Sequence, residues 1–358
     1  MIIRLKIWLR RAKSFIGSIY FINKNKLLGR SFVPQPRKRL FIETVSYCNL
    51  ACKFCTYPKN LHPKTIMDED LFRSSIDQAV AMGFESIVMT PINGDIFMDK
   101  NTIDRLSYIE NSGIKTCEFY TNFIGANEAT IKSIFALKKI KYMEISIYGH
   151  DLESFCNITG RGKEQYGRLV KNLRTLVSLY YQKPSGLNIC LSMRTYRSFR
   201  FNDGSQNELL ENIEKLRQAG VQIGLSSQVD NWGGDIRESD VADIEMDLID
   251  GRYTYKKGPC SLPFDSIQIT AEGIVNACAC RDPRGSLFLG DLKLTPLNLI
   301  HTPDNEKWIK IIRDQEVGKF NEVCSSCGFY QSIYDERHAI NTEFMTKNDY
   351  IVRARNFK

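Results

Sequence analysis

The chain has 358 residues, of which 43% are hydrophobic and 25% charged, with 23 Gly and 11 Pro. This composition excludes a disordered polymer, a collagen-like repeat and a small disulfide-stapled scaffold, and it leaves room for one large unit and one small one. The net charge of +8 is local: residues 1–39 hold eleven Lys/Arg and no acid, which leaves 38 of the 49 bases against 41 acids, so the body stands at −3 and no nucleic-acid partner is expected.

Residues 1–28 read as an amphipathic helix. Leu5, Trp8, Leu9, Ala12, Phe15, Ile16 and Ile19 share one face, with Arg4, Arg11, Lys13 and Ser14 mostly opposite. Arg10, Arg11 and Lys13 interrupt any membrane span and fall where the apolar region of a signal peptide would run. Two readings stand: a helix lying on an anionic membrane surface, or one packed on the body of the protein. Pro34, Pro36 and the basic run 37–39 then form a linker, so 1–38 is set apart from the rest of the chain.

From residue 39 strand and helix signals alternate. Strand-like runs lie at 40–45, 86–91, 116–122, 142–148, 188–195 and 222–227, with helical patterns near 69–83, 101–113, 127–139, 164–182 and 206–219. The period of about 35 residues is that of a β/α barrel module. Six units fit, which predicts an α/β fold: a partial (β/α)6 TIM-like barrel over residues 39–240. In the fourth run Tyr142, Glu144, Ser146 and Tyr148 share a face; in the fifth Cys190, Ser192 and Arg194 do. Each strand thus has one polar face, as expected of a barrel that holds a polar ligand; the alternative is a sheet with one solvated face.

The chain has eleven cysteines, an odd number without a secretory signal, so a reducing cytoplasm with thiolates as metal ligands fits better than disulfides. Cys117, Cys156 and Cys190 read as small core residues. Directly after the first strand come Cys48, Cys52 and Cys55, which can hold three irons of a cubane and leave one iron open for an exogenous ligand. The alternative is zinc held by these three and His62.

This C-x3-C-x2-C loop, with the aromatic Phe54 before its last cysteine, resembles the radical S-adenosylmethionine (radical SAM) superfamily. The resemblance covers roughly residues 39–330. It implies a [4Fe–4S] cluster that chelates SAM, a 5′-deoxyadenosyl radical that takes a hydrogen atom from the substrate, and a flavodoxin- or ferredoxin-type reductant. Family landmarks map onto Gly94 and Asp95, where the family has Gly-Gly-Glu meeting the SAM amino group. They also map onto Thr121-Asn122, where Phe123 replaces a glycine, onto Ser146 for the SAM ribose, and onto Arg194 for its carboxylate.

After residue 235 the rhythm stops. Cys260, Gly273 and Cys278 have the spacing that opens the auxiliary-cluster region called SPASM or twitch, with a hairpin at 266–277 between the cysteines, a helix near 305–316, and then Cys324 and Cys327. The shorter, twitch type is the better match. It implies one auxiliary [4Fe–4S] cluster on Cys260, Cys278, Cys324 and Cys327, with Cys280 as the alternative to Cys278, in a small C-terminal domain (β-hairpin plus helix) at 241–335 followed by a tail at 336–358. A four-cysteine zinc knuckle is the other reading of the same spacing.

The twitch pattern is similar to 2-deoxy-scyllo-inosamine dehydrogenase and, more loosely, to the molybdenum-cofactor cyclase and sulfatase-maturating enzymes. Residues 1–38 are shorter than the peptide-binding domain of many peptide-modifying relatives, which favours a small-molecule or glycan substrate: a carbohydrate, cyclitol or lipid-linked sugar. A peptide substrate is the alternative within the superfamily. A non-catalytic zinc-binding membrane adaptor is the alternative outside it. The expected location is the cytoplasm, peripheral at the inner membrane surface. Trp232 beside Gly233 and Gly234, with Tyr148, His150 and Arg161, are candidates for the substrate wall.

Overall fold

The computed structural model describes residues 2–356 apart from 37, 38, 62, 90, 91, 202, 203, 205, 206, 280 and 340–343. His62 and Cys280 therefore lie outside the described residues, as do Thr90 and Pro91 ahead of Gly94. In the first helix the side chains described are Leu9 and those from Ala12 onward, so Leu5 and Trp8 fall outside as well.

Six parallel strands lie side by side in chain order: β1 (Arg39–Ile42), β2 (Ser86–Met89), β3 (Thr116–Thr121), β4 (Ile140–Tyr148), β5 (Asn188–Arg194) and β6 (Gln222–Ser226). Each pair is joined through a helical crossover, as parallel neighbours require. The crossover helices are α2 (Glu69–Ala81), α3 (Thr102–Asn111), α4 (Glu128–Ala136), α5 (Leu152–Thr159) with α6 (Lys163–Leu179), and α7 (Glu208–Gln218), all after α1 (Ile2–Leu27). Local chemistry sets their ends. Asp68 caps α2 through the N–H groups of Asp70 and Leu71, and Gly83 follows that helix at φ +77°, a conformation glycine adopts without strain.

One face of each strand from β1 to β5 packs on the helices. Leu40, Ile42, Ile87, Met89, Phe119, Met143, Ile145, Ile147, Leu191 and Met193 are essentially inaccessible, each contributing about 1.5–3 kcal/mol by burial. On the opposite face Phe41 and Val88 form a separate small cluster with Ala279 and Tyr120. The rest of that face is polar, running from Arg39 and Glu118 at the lower end, through Tyr142 and Glu144, to Ser146 and Arg194 at the upper end. The polar lumen expected from strand alternation is the inner face of this sheet.

The C-terminal hairpin is not a free-standing layer. β7 (Ser266–Ile269) pairs in parallel with β1, Ser266 opposite Arg39 and Ile269 opposite Ile42, and β8 (Ile274–Asn276) and β9 (Phe288–Asp291) extend the same sheet to nine strands. Helix α8 (Glu306–Glu316) and the short α9 (Glu322–Ser326) follow, and α10 (Lys347–Asn356) ends the chain. The eight-residue α5 was not anticipated. Asp151 and Ser154 close a capping box at its start, and Gly160 ends it at φ +61°.

Candidate iron–sulfur and SAM site

The cysteine loop leaves the upper end of β1 and is clamped from behind. The Ala51 and Lys53 N–H groups donate to the carbonyls of Thr159 and Ile158 at the end of α5 (2.9 and 3.0 Å). Arg161 donates through Nε to the Asn49 carbonyl at 3.0 Å, so it holds this loop instead of facing an opening. Gly94 presses on the loop from β2; a Cβ there would overlap the carbonyl oxygens of Val45 and Tyr47, which is why only glycine fits.

Cys48, Cys52 and Cys55 are close enough that each pair interacts electrostatically. Burial pushes all three thiols upward, Cys52 farthest from water among them, so they are neutral without a cofactor and release protons on binding one. Their sulfurs already accept N–H groups: Cys48 from Leu50 (3.4 Å) and from Asn122 Nδ2 (3.5 Å), Cys55 from Tyr57 (3.4 Å). Such donors stabilise thiolate sulfur. Among the described residues no three His, Cys, Asp or Glu side chains are gathered closely enough for a single metal ion. A cubane takes one thiolate per iron, and three neighbouring thiols are the number that leaves one of its irons without a protein ligand.

Around this loop the structure brings together most of the strand-end residues. Asn122 touches Cys48 and also donates to Asn49 Oδ1 (2.7 Å). Arg194 reaches Ser146 Oγ at 3.4 Å across the β4–β5 ladder, and its charge is felt at Cys52. The Phe54 ring packs on Tyr148 with centroids 5.3 Å apart. Asp95 takes a different part from the one expected. Its carboxylate is buried and accepts the Thr121 hydroxyl (2.9 Å) and the N–H groups of Asn122 (2.6 Å) and Phe97 (3.0 Å). With those partners made, Asp95 is a positioning residue that fixes Asn122 against Cys48. Phe123, in the place of a glycine, adopts φ +64° and is wholly buried.

The second set of cysteines converges from distant parts of the chain. All six pairs among Cys260, Cys278, Cys324 and Cys327 interact electrostatically. Burial raises Cys260 to about 12 and Cys327 to about 11. Gln315 of α8 ties two of them together: its Oε1 accepts the Cys260 N–H at 2.8 Å and its Nε2 donates to Cys324 Sγ at 3.4 Å. Cys327 Sγ accepts the Phe329 N–H at 3.2 Å. Lys256, half-buried, donates to the Ser325 carbonyl and lends positive charge to Cys324 and Cys327. Asn276 and Asp282 bond to each other and organise the turn after Cys278.

Trp232 links the two sets. Its indole N–H donates to the Phe54 carbonyl at 3.0 Å, inside the cysteine loop. The Arg281 guanidinium lies over the Trp232 ring and over the Phe329 ring, centroids 5.2 and 4.1 Å away, and pairs with Asp230 at 2.7 Å. Neither Gln315 nor this bridge was found in the sequence, because both depend on contacts between segments far apart. His150 is a satisfied structural side chain, stacked on Phe199 with Nδ1 2.7 Å from the Thr195 hydroxyl. Cys190, read as core, instead faces the lumen beside the Tyr142 hydroxyl.

Comparison with known proteins rests on structure, since no family model and no curated protein matches this sequence. Among solved structures, BtrN in complex with AdoMet and 2-DOIA aligns at a TM-score of 0.52 and 15% identity, over 87% of this chain and 100% of that one. Streptococcus suis SuiB bound to precursor peptide SuiA aligns at 0.54 and 13% identity, over 89% of this chain and 74% of that one. The chain shares the fold of these proteins, a partial α/β barrel with an extended sheet. In that fold the barrel's upper rim carries the cysteine loop, and the extended sheet beyond β1 carries the second cysteine set.

Proposed function

We propose that this protein is a radical SAM enzyme that acts on a polyhydroxylated small molecule, of carbohydrate or cyclitol type, by hydrogen-atom abstraction followed by oxidation. Cys48, Cys52 and Cys55 would hold one [4Fe–4S] cluster, and Cys260, Cys278, Cys324 and Cys327 an auxiliary one. When bound, the first cluster holds SAM on its open iron and supplies the electron that cleaves the sulfonium. The observation that carries this reading is the convergence on one barrel rim of three neighbouring thiols with Asn122, Ser146 and Arg194.

The chain's own residues have definable parts in it. Asn122 and backbone N–H groups stabilise the loop's thiolates, Arg194 is placed for a carboxylate, and Ser146 for a hydroxyl. The Phe54 and Tyr148 rings would form a wall that keeps water from the reacting atoms. The substrate preference rests on the lumen. Glu118 paired with Arg39 at 3.2 Å, Glu144 bonded to Tyr142 at 2.9 Å, and the Tyr120 and Tyr142 rings at 6.0 Å offer acceptors, donors and aromatic faces to a molecule rich in hydroxyls. A peptide substrate is the second reading, favoured by the alignment with SuiB bound to a precursor peptide.

Anaerobic reconstitution tests the assignment. The expected content is about eight irons per chain with cubane electron paramagnetic resonance after reduction; zinc in place of iron would overturn it in favour of a metal-binding adaptor. Candidate sugars and peptides deuterated at single carbons, with the label read in 5′-deoxyadenosine, decide between the two substrate classes. A flavodoxin- or ferredoxin-type protein is the reductant to supply.

A further inference from the structure

Helix α1 docks on the protein by one face and leaves another bare. On the docked face Ile22 and Asn25 are buried and Phe15 stacks edge-on with Tyr255 at 5.9 Å. Asn25 donates to the Tyr334 carbonyl (3.1 Å), Arg337 donates to Ser18 Oγ (2.6 Å), and Lys26 pairs with Glu316 (2.6 Å). Of the helix's two anticipated settings, packing on the body is thus present over its second half. It uses one edge of the anticipated face, where Phe15 lies, and leaves Leu9 and Ile16 outward.

The outward face carries Leu9 (51% exposed), Ile16 (65%), Tyr20 (60%) and Leu27 (88%), continued by Leu28 (53%). At 100° per residue Leu9, Ile16, Tyr20 and Leu27 fall within about 20° of one line, a stripe about 27 Å long, with Leu28 just past the helix end. Lys13 is exposed beside it, and Lys24 borders it nearer the body. The sequence extends both lines by one heptad, with Ile2 seven residues before Leu9 and Lys6 seven before Lys13.

We propose that this stripe lies on an anionic phospholipid surface, with the leucines and Ile16 among the acyl chains, Tyr20 at the headgroup level and the lysines at the phosphates. Charge decides the occupant. A second copy would bring the same helix, in a segment with eleven cations and no acid, against itself. A partner helix would need apolar groups at the next seam positions, where Asn23 and Lys26 stand, both already bonded to the body. An anionic bilayer meets an apolar stripe bordered by lysines without either difficulty. Among the described residues no helix is long and apolar enough to cross a membrane, so the contact is a surface one. This inference is independent of the chemistry proposed above.

The test is sedimentation of the full-length protein with vesicles of phosphatidylcholine alone and of phosphatidylcholine mixed with phosphatidylserine. Binding is expected to the mixed vesicles only, to weaken as salt rises, and to drop at least about tenfold in an Ile16→Glu, Leu27→Glu variant whose melting temperature is unchanged. Three outcomes would overturn it: equal pelleting with both vesicle types, no pelleting with either, or a wild-type dimer that the same variant dissolves.

Discussion

The two cysteine sets are built in opposite ways. Cys48, Cys52 and Cys55 sit on one short loop, and the barrel around it supplies everything that holds them: the end of α5, the turn at Gly94 and Asn122. Cys260, Cys278 and the Cys324–Cys327 pair come from three separate places and meet only when the hairpin, α8 and α9 are packed. Their electrostatic settings differ too. Asp95 adds negative and Arg194 positive charge at the first set, whereas Lys256 and Arg281 face Asp230 and Asp282 around the second. A local loop on a rigid frame survives local damage elsewhere; a site assembled from distant segments depends on each contact that assembles it.

The largest test of that contrast removes thiols. Replacing Cys48, Cys52 or Cys55 by Ala should abolish SAM cleavage and leave about four of about eight irons, those of the C-terminal set. Cys324→Ala should leave the complementary four, read by iron content and reduced-state paramagnetic resonance. Loss of all iron in either variant would mean that the two sets are not independent.

Next in size is Glu43, just ahead of the cysteine loop. It is wholly buried with one carboxylate oxygen unpaired, and burial raises it to about 8. The protonated form is favoured in the folded state, so stability should fall as pH climbs from its ordinary value near 4.5 to about 8, by up to about 5 kcal/mol. Glu43→Gln, already neutral, should flatten that slope in urea unfolding of the metal-free protein between about pH 5 and 8.5.

Gln315→Leu should cost about 1–3 kcal/mol, because the Cys260 N–H is left buried without an acceptor. Its effect should fall on the auxiliary paramagnetic signal and spare the other. Trp232→Phe keeps the ring but drops the bond to the Phe54 carbonyl, an expected loss of about 1 kcal/mol. Because Trp232 touches the first loop and, through Arg281, the surroundings of Cys327, this small change should alter both signals, and a double-mutant cycle with Arg281→Met should show coupling above about 0.5 kcal/mol.

The same division governs how much of the molecule was legible in the sequence. The closeness of the first loop's thiols was legible because its three cysteines are near neighbours in the chain, and the polar face that Ser146 and Arg194 share was legible from strand alternation. For Asp95 the place beyond the end of β2 was legible, but its partners, the Thr121 hydroxyl and Asn122 N–H, come from the next strand and leave no local signal. Phe123 shows the limit of a motif. The missing glycine did not change the backbone, which keeps φ +64°; burying the whole ring offsets a strain of about 1–2 kcal/mol. Gln315, Trp232 and the pairing of β7 with β1 carry no local signature, and α1 was amphipathic in a way that concealed which side would be covered.

The nine-stranded sheet has two margins, and they are treated unequally. Beside β1 the hairpin continues the hydrogen-bonded ladder, while on the far side β6 ends it with an accessible row from Gln222 to Ser226. Among the described residues that row of backbone groups has no neighbouring strand, so the open edge of the sheet lies on the side away from the cysteine loop.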